Sequence, residues 1–139
     1  MELAAALDFA ADHNRGVLMT IRRDGRPQAS NIMYAVMDGT IRVSVTADRA
    51  KTANLRRDPR GSLHVTSEDF WQYVVVDGDT ELSDIAATPG DATCAELREV
   101  YRAISGEHPD WDDYDQAMVR DRRLVVRLHP THAYGQVRG

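Results

Sequence analysis

A short basic segment, Ala47–Arg60, has the residue types that bind anions. It contains Lys51 and four arginines, although the whole chain has a formal net charge of -5. Asp48 is a predicted N-cap and Pro59 a stop signal, so we predict a helix over residues 49–58. The start of a helix attracts phosphate and carboxylate groups through its free N–H groups and its dipole. The segment therefore predicts a site for a small anionic ligand, and the alternative is a solvated surface helix.

The first turn of this predicted helix offers several groups to a phosphate. They are the Arg49 guanidinium, the Ala50 amide, the Lys51 ammonium and the Thr52 hydroxyl. A guanidinium pairs two oxygens at once, whereas an ammonium acts as a compact point charge. Arg56 lies about two helical turns after Arg49. With Arg60 it extends the predicted cationic track toward any further carboxylates of the ligand.

Composition excludes several other classes of function. The excess of acidic residues and a sequence pI near 5.5 argue against a nucleic-acid-binding protein. The five histidines have no metal-ligand spacing, so we expect no metal site, and Cys94 lies in a helical pattern as a small core residue. The amino terminus lacks signal-peptide features, and no apolar run approaches the roughly 20 residues of a membrane span. We expect a soluble, cytoplasmic protein with no membrane partner.

The pattern of the rest of the chain predicts one mainly β domain, residues 1–139. Helical spacing predicts helices over residues 3–13, 92–105 and 112–120, in addition to the basic helix. Alternating and β-branched runs predict strands over residues 17–21, 27–36, 40–46, 62–66, 71–77, 80–83, 124–128 and 133–136, with a bulge or bend at Gly78. About seven strands and three or four helices indicate a closed antiparallel barrel with helices packed outside.

Three motifs in this order resemble one known superfamily: the hairpin Thr20–Asn31, the helix Arg49–Pro59 and the segment Gly106–Tyr114. They are similar to those of the split β-barrel flavin and deazaflavin oxidoreductases, which include pyridoxamine 5′-phosphate oxidase. Within that superfamily the chain most resembles the actinobacterial branch that uses coenzyme F420, a 5-deazaflavin with a phosphodiester-linked oligoglutamate tail. The resemblance covers nearly the whole chain and implies an antiparallel split β-barrel.

The resemblance also implies a homodimer with two cofactor sites at the subunit interface. Residues implied to lie near the deazaflavin ring or ribityl chain are Pro27, Gln28 and Asn31. Residues implied to form the phosphate site are Ser44, Arg49, Ala50, Lys51 and Thr52. Trp71 is implied to reach the cofactor of the partner subunit. Residue type alone leaves an alternative for each group. Gln28, Ser30 and Asn31 can be solvated residues of an edge strand, and Trp71 can be a packing residue.

The activity implied by the resemblance is reduction of a small, electron-poor organic substrate by hydride transfer from C5 of reduced F420. Ser30, Tyr34 and Tyr73 are chemically able to donate a proton, and no spacing selects one, so no catalytic residue is assigned. Two alternatives stay open. One is an FMN enzyme like pyridoxamine 5′-phosphate oxidase, although the sequence after Pro27 departs from the basic, leucine-rich strand of that enzyme. The other is an F420 carrier, store or sensor without turnover.

Overall fold

A computed structural model of the chain describes residues 1–138, which contain seven strands and four helices. The helices are α1 (Leu3–Ala11), α2 (Ala50–Arg57), α3 (Ala92–Ser105) and α4 (Trp111–Arg120). The strands are β1 (Arg15–Ile21), β2 (Pro27–Met33), β3 (Ala35–Met37), β4 (Thr40–Thr46), β5 (Arg60–Thr66), β6 (Tyr73–Leu82) and β7 (Arg123–Gln136). None of these helices is long and apolar enough to cross a membrane.

The strands form one antiparallel sheet in the order β2-β1-β5-β6-β7-β4-β3. The two ends of this order, β2 and β3, are separated in the chain by Tyr34 alone, so the sheet must curl back on itself. Tyr34 is fully buried, its hydroxyl donates to Ala10 O at 2.7 Å and its N–H to Asn14 O at 3.0 Å. The predicted antiparallel split β-barrel with flanking helices is confirmed, as a curled seven-stranded sheet with β2 and β3 at its edges and not as the closed barrel that the element count indicated. The prediction of one strand over residues 27–36 is wrong because Tyr34 turns inward to cap the barrel.

The carboxyl-terminal part of the sheet also differs from the prediction. The two predicted closing strands are one long strand, β7, which continues through Pro130. Gly78 of β6 pairs with Pro130 while Asp77 pairs with His132, so Thr131 is the extra residue of a β-bulge. A Cβ on Gly78 would lie 2.2 Å from His129 O, which explains the glycine. The predicted bulge at Gly78 is confirmed.

Two apolar cores hold the molecule together. The first fills the barrel and is closed at one end by α1. The second lies between the outer surface of β4 and β7 and the helices α3 and α4. In β4 the side chains alternate: Ile41, Val43 and Val45 point into the barrel, and Ser44 faces the second core. Two polar positions of the sheet, Ser44 on β4 and Arg123 on β7, are thereby placed under the helices.

Candidate anion-binding site

Hydrogen bonds hold α2 between β4 and the hairpin of β1 and β2. The Thr52 hydroxyl donates to Thr46 O at 2.8 Å, which joins the helix to the end of β4. The Asn54 amide donates to Thr20 Oγ1 at 3.1 Å and to Gln28 Oε1 at 3.2 Å, which joins the helix to β1 and β2. Thr52 and Asn54 are both buried. The position of the helix start is therefore fixed from two sides.

The first turn of α2 presents its N–H groups without a side-chain acceptor. The helix begins at Ala50, and its N-cap residue is Arg49, which makes no side-chain capping bond. The prediction of Asp48 as the N-cap is wrong. A hydrogen bond from Thr46 is the main cause of a lowered pKa for the Asp48 carboxyl, which lies before the helix start. An uncapped helix start next to cationic side chains is a suitable site for an anion.

Three cationic side chains converge at this helix start. Lys51 is half-buried, and its pKa is lowered first by burial and then by the positive charges of Arg49 and Arg123. The Arg123 Nη1 group donates to Ser44 Oγ at 3.3 Å and to Ser44 O at 3.4 Å. In the described part of the chain, none of the three cations pairs with a carboxylate. We call Arg49, Lys51 and Arg123 the cationic cluster.

The cationic cluster fits an anionic group better than it fits a purely structural role. Like charges at close range raise the free energy of the folded protein unless an anion offsets them. The groups at the cluster are hydrogen-bond donors, which suit an anion. Within residues 1–138, no group of histidine, cysteine and carboxylate residues has the arrangement of a metal site. A phosphate is an appropriate partner because it accepts hydrogen bonds from guanidinium, ammonium and backbone N–H groups together.

A second basic surface lies on another side of α2. A cavity of about 640 Å³ is lined there by Gln28, Ala50, Ala53, Asn54 and four arginines, Arg22, Arg23, Arg56 and Arg57. We call this the four-arginine cavity. Arg56 lines this second surface, which does not include Arg49, and remains available for a ligand carboxylate. Arg60 is not available, because its guanidinium donates to the Asp58 carboxylate at 2.8 and 3.1 Å and lowers the pKa of that carboxyl to about 2.

The structure brings most of the predicted phosphate residues together and separates the other predicted residues. Arg49, Ala50 and Lys51 lie at the start of α2, and Thr52 follows with its hydroxyl proton already donated to Thr46. Ser44 lies on β4 and is linked to Lys51 only through Arg123, which donates to Ser44. Gln28 faces α2, where its side chain accepts from Asn54. Pro27 is exposed at the start of β2, opposite Ile21.

Asn31 and Trp71 lie away from the cationic cluster in this chain. Asn31 is exposed on β2 and lines a different cavity of about 410 Å³ that also contains His64 and Thr66. Trp71 is 69% exposed in the turn before β6, so the predicted strand start at residue 71 is wrong. Both side chains are exposed and can therefore contact a ligand or a partner subunit.

Sequence reasoning missed Arg123 and His64. Arg123 reaches the cationic cluster because β7 pairs with β4, where Thr46 lies opposite Arg123. His64 reaches the cavity of Asn31 because Val17 of β1 pairs with both of them. The only signal for either was an isolated polar residue in a strand, which does not distinguish a site residue from a solvated one.

The profile of the pyridoxamine 5′-phosphate oxidase family matches residues 3–136. The chain belongs to this family. Proteins of this split-barrel superfamily include oxidoreductases and proteins that bind a flavin or deazaflavin cofactor. The family match confirms the resemblance to this superfamily.

Solved structures with the same fold include three that cover most of this chain. A conserved hypothetical protein of Mycobacterium tuberculosis is 29% identical, with a TM-score of 0.76 over 97% of this chain and 84% of the other. A protein described as an F420 reductase is 23% identical, with a TM-score of 0.66 over 87% and 89%. A FAD-binding protein of Mesorhizobium loti is 19% identical, with a TM-score of 0.68 over 97% and 92%.

Proposed function

We propose that this protein is an F420-dependent reductase that transfers a hydride to a small, electron-poor organic substrate. The observation that carries the proposal is the cationic cluster, which has no carboxylate partner in residues 1–138 and lies at the uncapped start of α2. The similarity to a protein described as an F420 reductase supports this choice of cofactor. Reduced F420, when bound, supplies the hydride from its C5 atom.

Each residue of the site has a role that follows from its chemistry. Arg49 and Lys51 pair with the phosphodiester, and the first-turn N–H groups of α2 add neutral donors. Arg123 increases the positive potential from the β7 side, while Ser44 holds its guanidinium. Fixing the anionic part of the cofactor restricts the motion of its ring, which is how a binding site lowers the entropic barrier of a bimolecular reaction.

The four-arginine cavity favours F420 over FMN. FMN has one phosphate, for which the cationic cluster is sufficient, whereas the oligoglutamate tail of F420 adds carboxylates beyond its phosphodiester. Arg22, Arg23, Arg56 and Arg57 line a cavity that shares Ala50 with the helix start, so a ligand held at α2 can extend along it. Arg22 lies 3.5 Å from the Asp24 carboxylate, but Arg23, Arg56 and Arg57 have no carboxylate partner in residues 1–138 and can make charge-assisted hydrogen bonds with the tail.

We further propose that the reductase acts as a homodimer in which Trp71 contacts the cofactor of the partner subunit. The turn before β6 is held rigidly, because Asp69 Oδ1 accepts from Ser67 Oγ at 2.6 Å and from Trp71 N at 3.0 Å. It presents Phe70 and Trp71 to the outside with 76% and 69% of their surface exposed. Two large aromatic side chains held in this way are typical of a protein interface.

Cofactor titration tests the proposal directly. We expect the cofactor-free protein to bind F420 more tightly as the number of glutamates increases, and to bind FMN more weakly than any F420 species. Binding of FMN in preference to F420 would instead support the oxidase-like alternative.

A turnover assay then separates an enzyme from a carrier. Oxidation of reduced F420 is followed with a panel of enones and quinones, and an enzyme accelerates at least one of these reactions. Tight binding of F420 with no acceleration of any reaction would favour the carrier, store or sensor.

A further inference from the structure

A cavity of about 280 Å³ lies between the helices α3 and α4 and the outer surface of the sheet. Most of its lining is apolar or aromatic and comes from the two helices: Leu97, Val100, Tyr101, Ile104, Tyr114 and Met118. The strands contribute two polar residues, Ser44 and Arg123, and Met33 contributes a partly exposed thioether. We call this the helix–sheet cavity.

Arg123 differs in its hydrogen-bond partners from the other arginines packed between this sheet surface and the helices. Arg98 makes two bonds of 2.8 Å with the buried carboxylate of Asp115. Arg127 makes two bonds, of 2.8 and 2.5 Å, with Glu96, which also accepts from Arg42. Each of these guanidinium groups therefore has a carboxylate partner.

Arg123 has no such partner among residues 1–138. Its Nη1 group makes two long contacts with Ser44, and its Nε atom is buried with no hydrogen-bond acceptor. A buried guanidinium needs acceptors for its N–H groups, and native proteins rarely leave such a group unsatisfied. A ligand in the cavity that Arg123 lines can supply the missing acceptor.

We propose that the helix–sheet cavity binds a small apolar molecule with one carboxylate, whose oxygens pair with Arg123. The apolar walls exclude a highly polar ligand, and the single unpartnered cation selects one negative charge. A cavity of about 150 Å³ holds benzene. The larger cavity here suits a substituted aromatic ring or a fused bicycle. This site shares Ser44 and Arg123 with the proposed phosphate site, but ligand binding to it needs neither a bound cofactor nor the proposed reductase activity.

Calorimetric titration of the cofactor-free protein with 2-naphthoate and with the neutral 2-naphthamide tests the charge preference. We expect the carboxylate to bind roughly tenfold more tightly or better, because charge-assisted hydrogen bonds are the stronger ones. Arg123→Met should remove this preference, and Arg123→Lys should retain part of it. Equal affinities for the two probes in the wild-type protein would overturn the proposal.

A second variant tests the location without changing the charge. Ile104→Trp places a larger side chain in the cavity and should abolish binding of both naphthalene probes. Naphthoate binding that survives this substitution in a folded variant would contradict the assignment. Because Arg123 also belongs to the cationic cluster, F420 affinity is not a readout of this test, and a failed F420 titration of the wild-type protein would leave the naphthoate result standing.

Methyl NMR of the wild-type protein gives a readout that does not depend on folding of the variants. The ε-methyl groups of Met33 and Met118 line the cavity, whereas Met1 and Met19 do not. Naphthoate should shift the signals of the first two and leave the other two in place. Shifts confined to Met1 or Met19 would place the probe elsewhere and overturn the proposal.

Discussion

The positive charge of Lys51 favours binding of an anion but lowers the stability of the folded protein. Its ammonium is half-buried and close to the charges of Arg49 and Arg123, which together lower its pKa from 10.5. A base whose pKa is lower in the folded state destabilises that state while it is protonated. The lysine is therefore unfavourable for the protein without a ligand and favourable only when an anion is bound.

Replacing Lys51 by methionine should weaken F420 binding and leave the protein at least as stable. We expect a loss of about 1 to 3 kcal/mol in binding free energy, because one charge-assisted hydrogen bond is removed. The melting temperature without cofactor should be equal or higher at pH 7. This difference should shrink as the pH rises toward 10.5, where the lysine loses its charge in the unfolded state as well.

The matched control for Lys51 is Arg60→Gln. It also removes one positive charge, but from an exposed side chain that pairs with Asp58 and does not line the four-arginine cavity. Fluorescence titration and thermal unfolding of both variants give the comparison. Equal losses of F420 affinity in the two variants would show a general charge effect and would remove Lys51 from the site.

At the scale of elements, the position of α2 depends on one buried amide. Asn54 joins the helix to β1 through Thr20 and to β2 through Gln28, and its Oδ1 accepts from Arg57 at 3.0 Å. Asn54→Ala should lower the free energy of unfolding by about 1 to 3 kcal/mol, since it leaves buried partners unsatisfied. It should also weaken F420 binding, because the helix start is no longer held. Urea unfolding and cofactor titration measure the two effects.

The stability control on the same helix is Ala53→Ser, which adds a hydroxyl at an exposed position; because Ala53 lines the four-arginine cavity, this variant is compared by urea unfolding alone. Surface changes of this kind alter the free energy of unfolding by about 0.5 kcal/mol or less. A normal F420 affinity in Asn54→Ala would mean that the hydrogen bonds of this amide are not needed to position the anion site.

The start of α3 is capped by a carboxylate, which makes its stability depend on pH. Burial pushes the pKa of Asp91 upward, but N–H groups of Ala87, Thr88 and Cys94 donate to the carboxylate and bring its pKa down to about 2. An acid with a lowered pKa stabilises the folded state above its unfolded value of 3.8. That contribution is lost as the pH falls from about 4 to about 2.

Asp91→Ala should therefore cost about 1 to 2 kcal/mol of unfolding free energy at pH 7, the usual value of an N-cap. The difference from wild type should decrease between pH 4 and pH 2. Asp91→Asn keeps a capping oxygen and should cost less. Urea unfolding at a series of pH values measures all three proteins, and a pH-independent difference for Asp91→Ala would contradict the capping role.

Local signals explain which elements could be predicted from the sequence. The turns at Gly25 and Gly39 fixed the ends of the first strands, because both glycines have a positive φ, 86° and 74°. Tyr34 interrupts a strand without any glycine or proline, so its effect became visible only through its buried bond to Ala10. Pro130 predicted a break between two strands, but β7 continues through it because a β-bulge opposite Gly78 accommodates the proline. Tertiary contacts decide both cases.

For the whole molecule, the site could be predicted only where it is continuous in the chain. Residues 49–52 are consecutive at the start of α2, so their shared location followed from helix geometry. Arg123 lies 71 positions after Thr52 in the printed sequence and joins them only through pairing of β4 with β7. Its missing acceptor is a property of three-dimensional packing, to which no sequence pattern corresponds. A strand order must be known before such a residue can be placed.

The proposed dimer is a property of the whole molecule and can be tested by its mass in solution. The chain has a mass of 15.6 kDa, and light scattering should give about twice that value for the wild-type protein. Trp71→Ser should shift the equilibrium toward the monomer and weaken F420 binding in parallel, because it removes a large apolar contact from the interface and from the partner's site. Trp71→Phe keeps an aromatic surface and should preserve both properties. A Trp71→Ser protein that stays dimeric with unchanged F420 affinity would show that the exposed turn serves neither role.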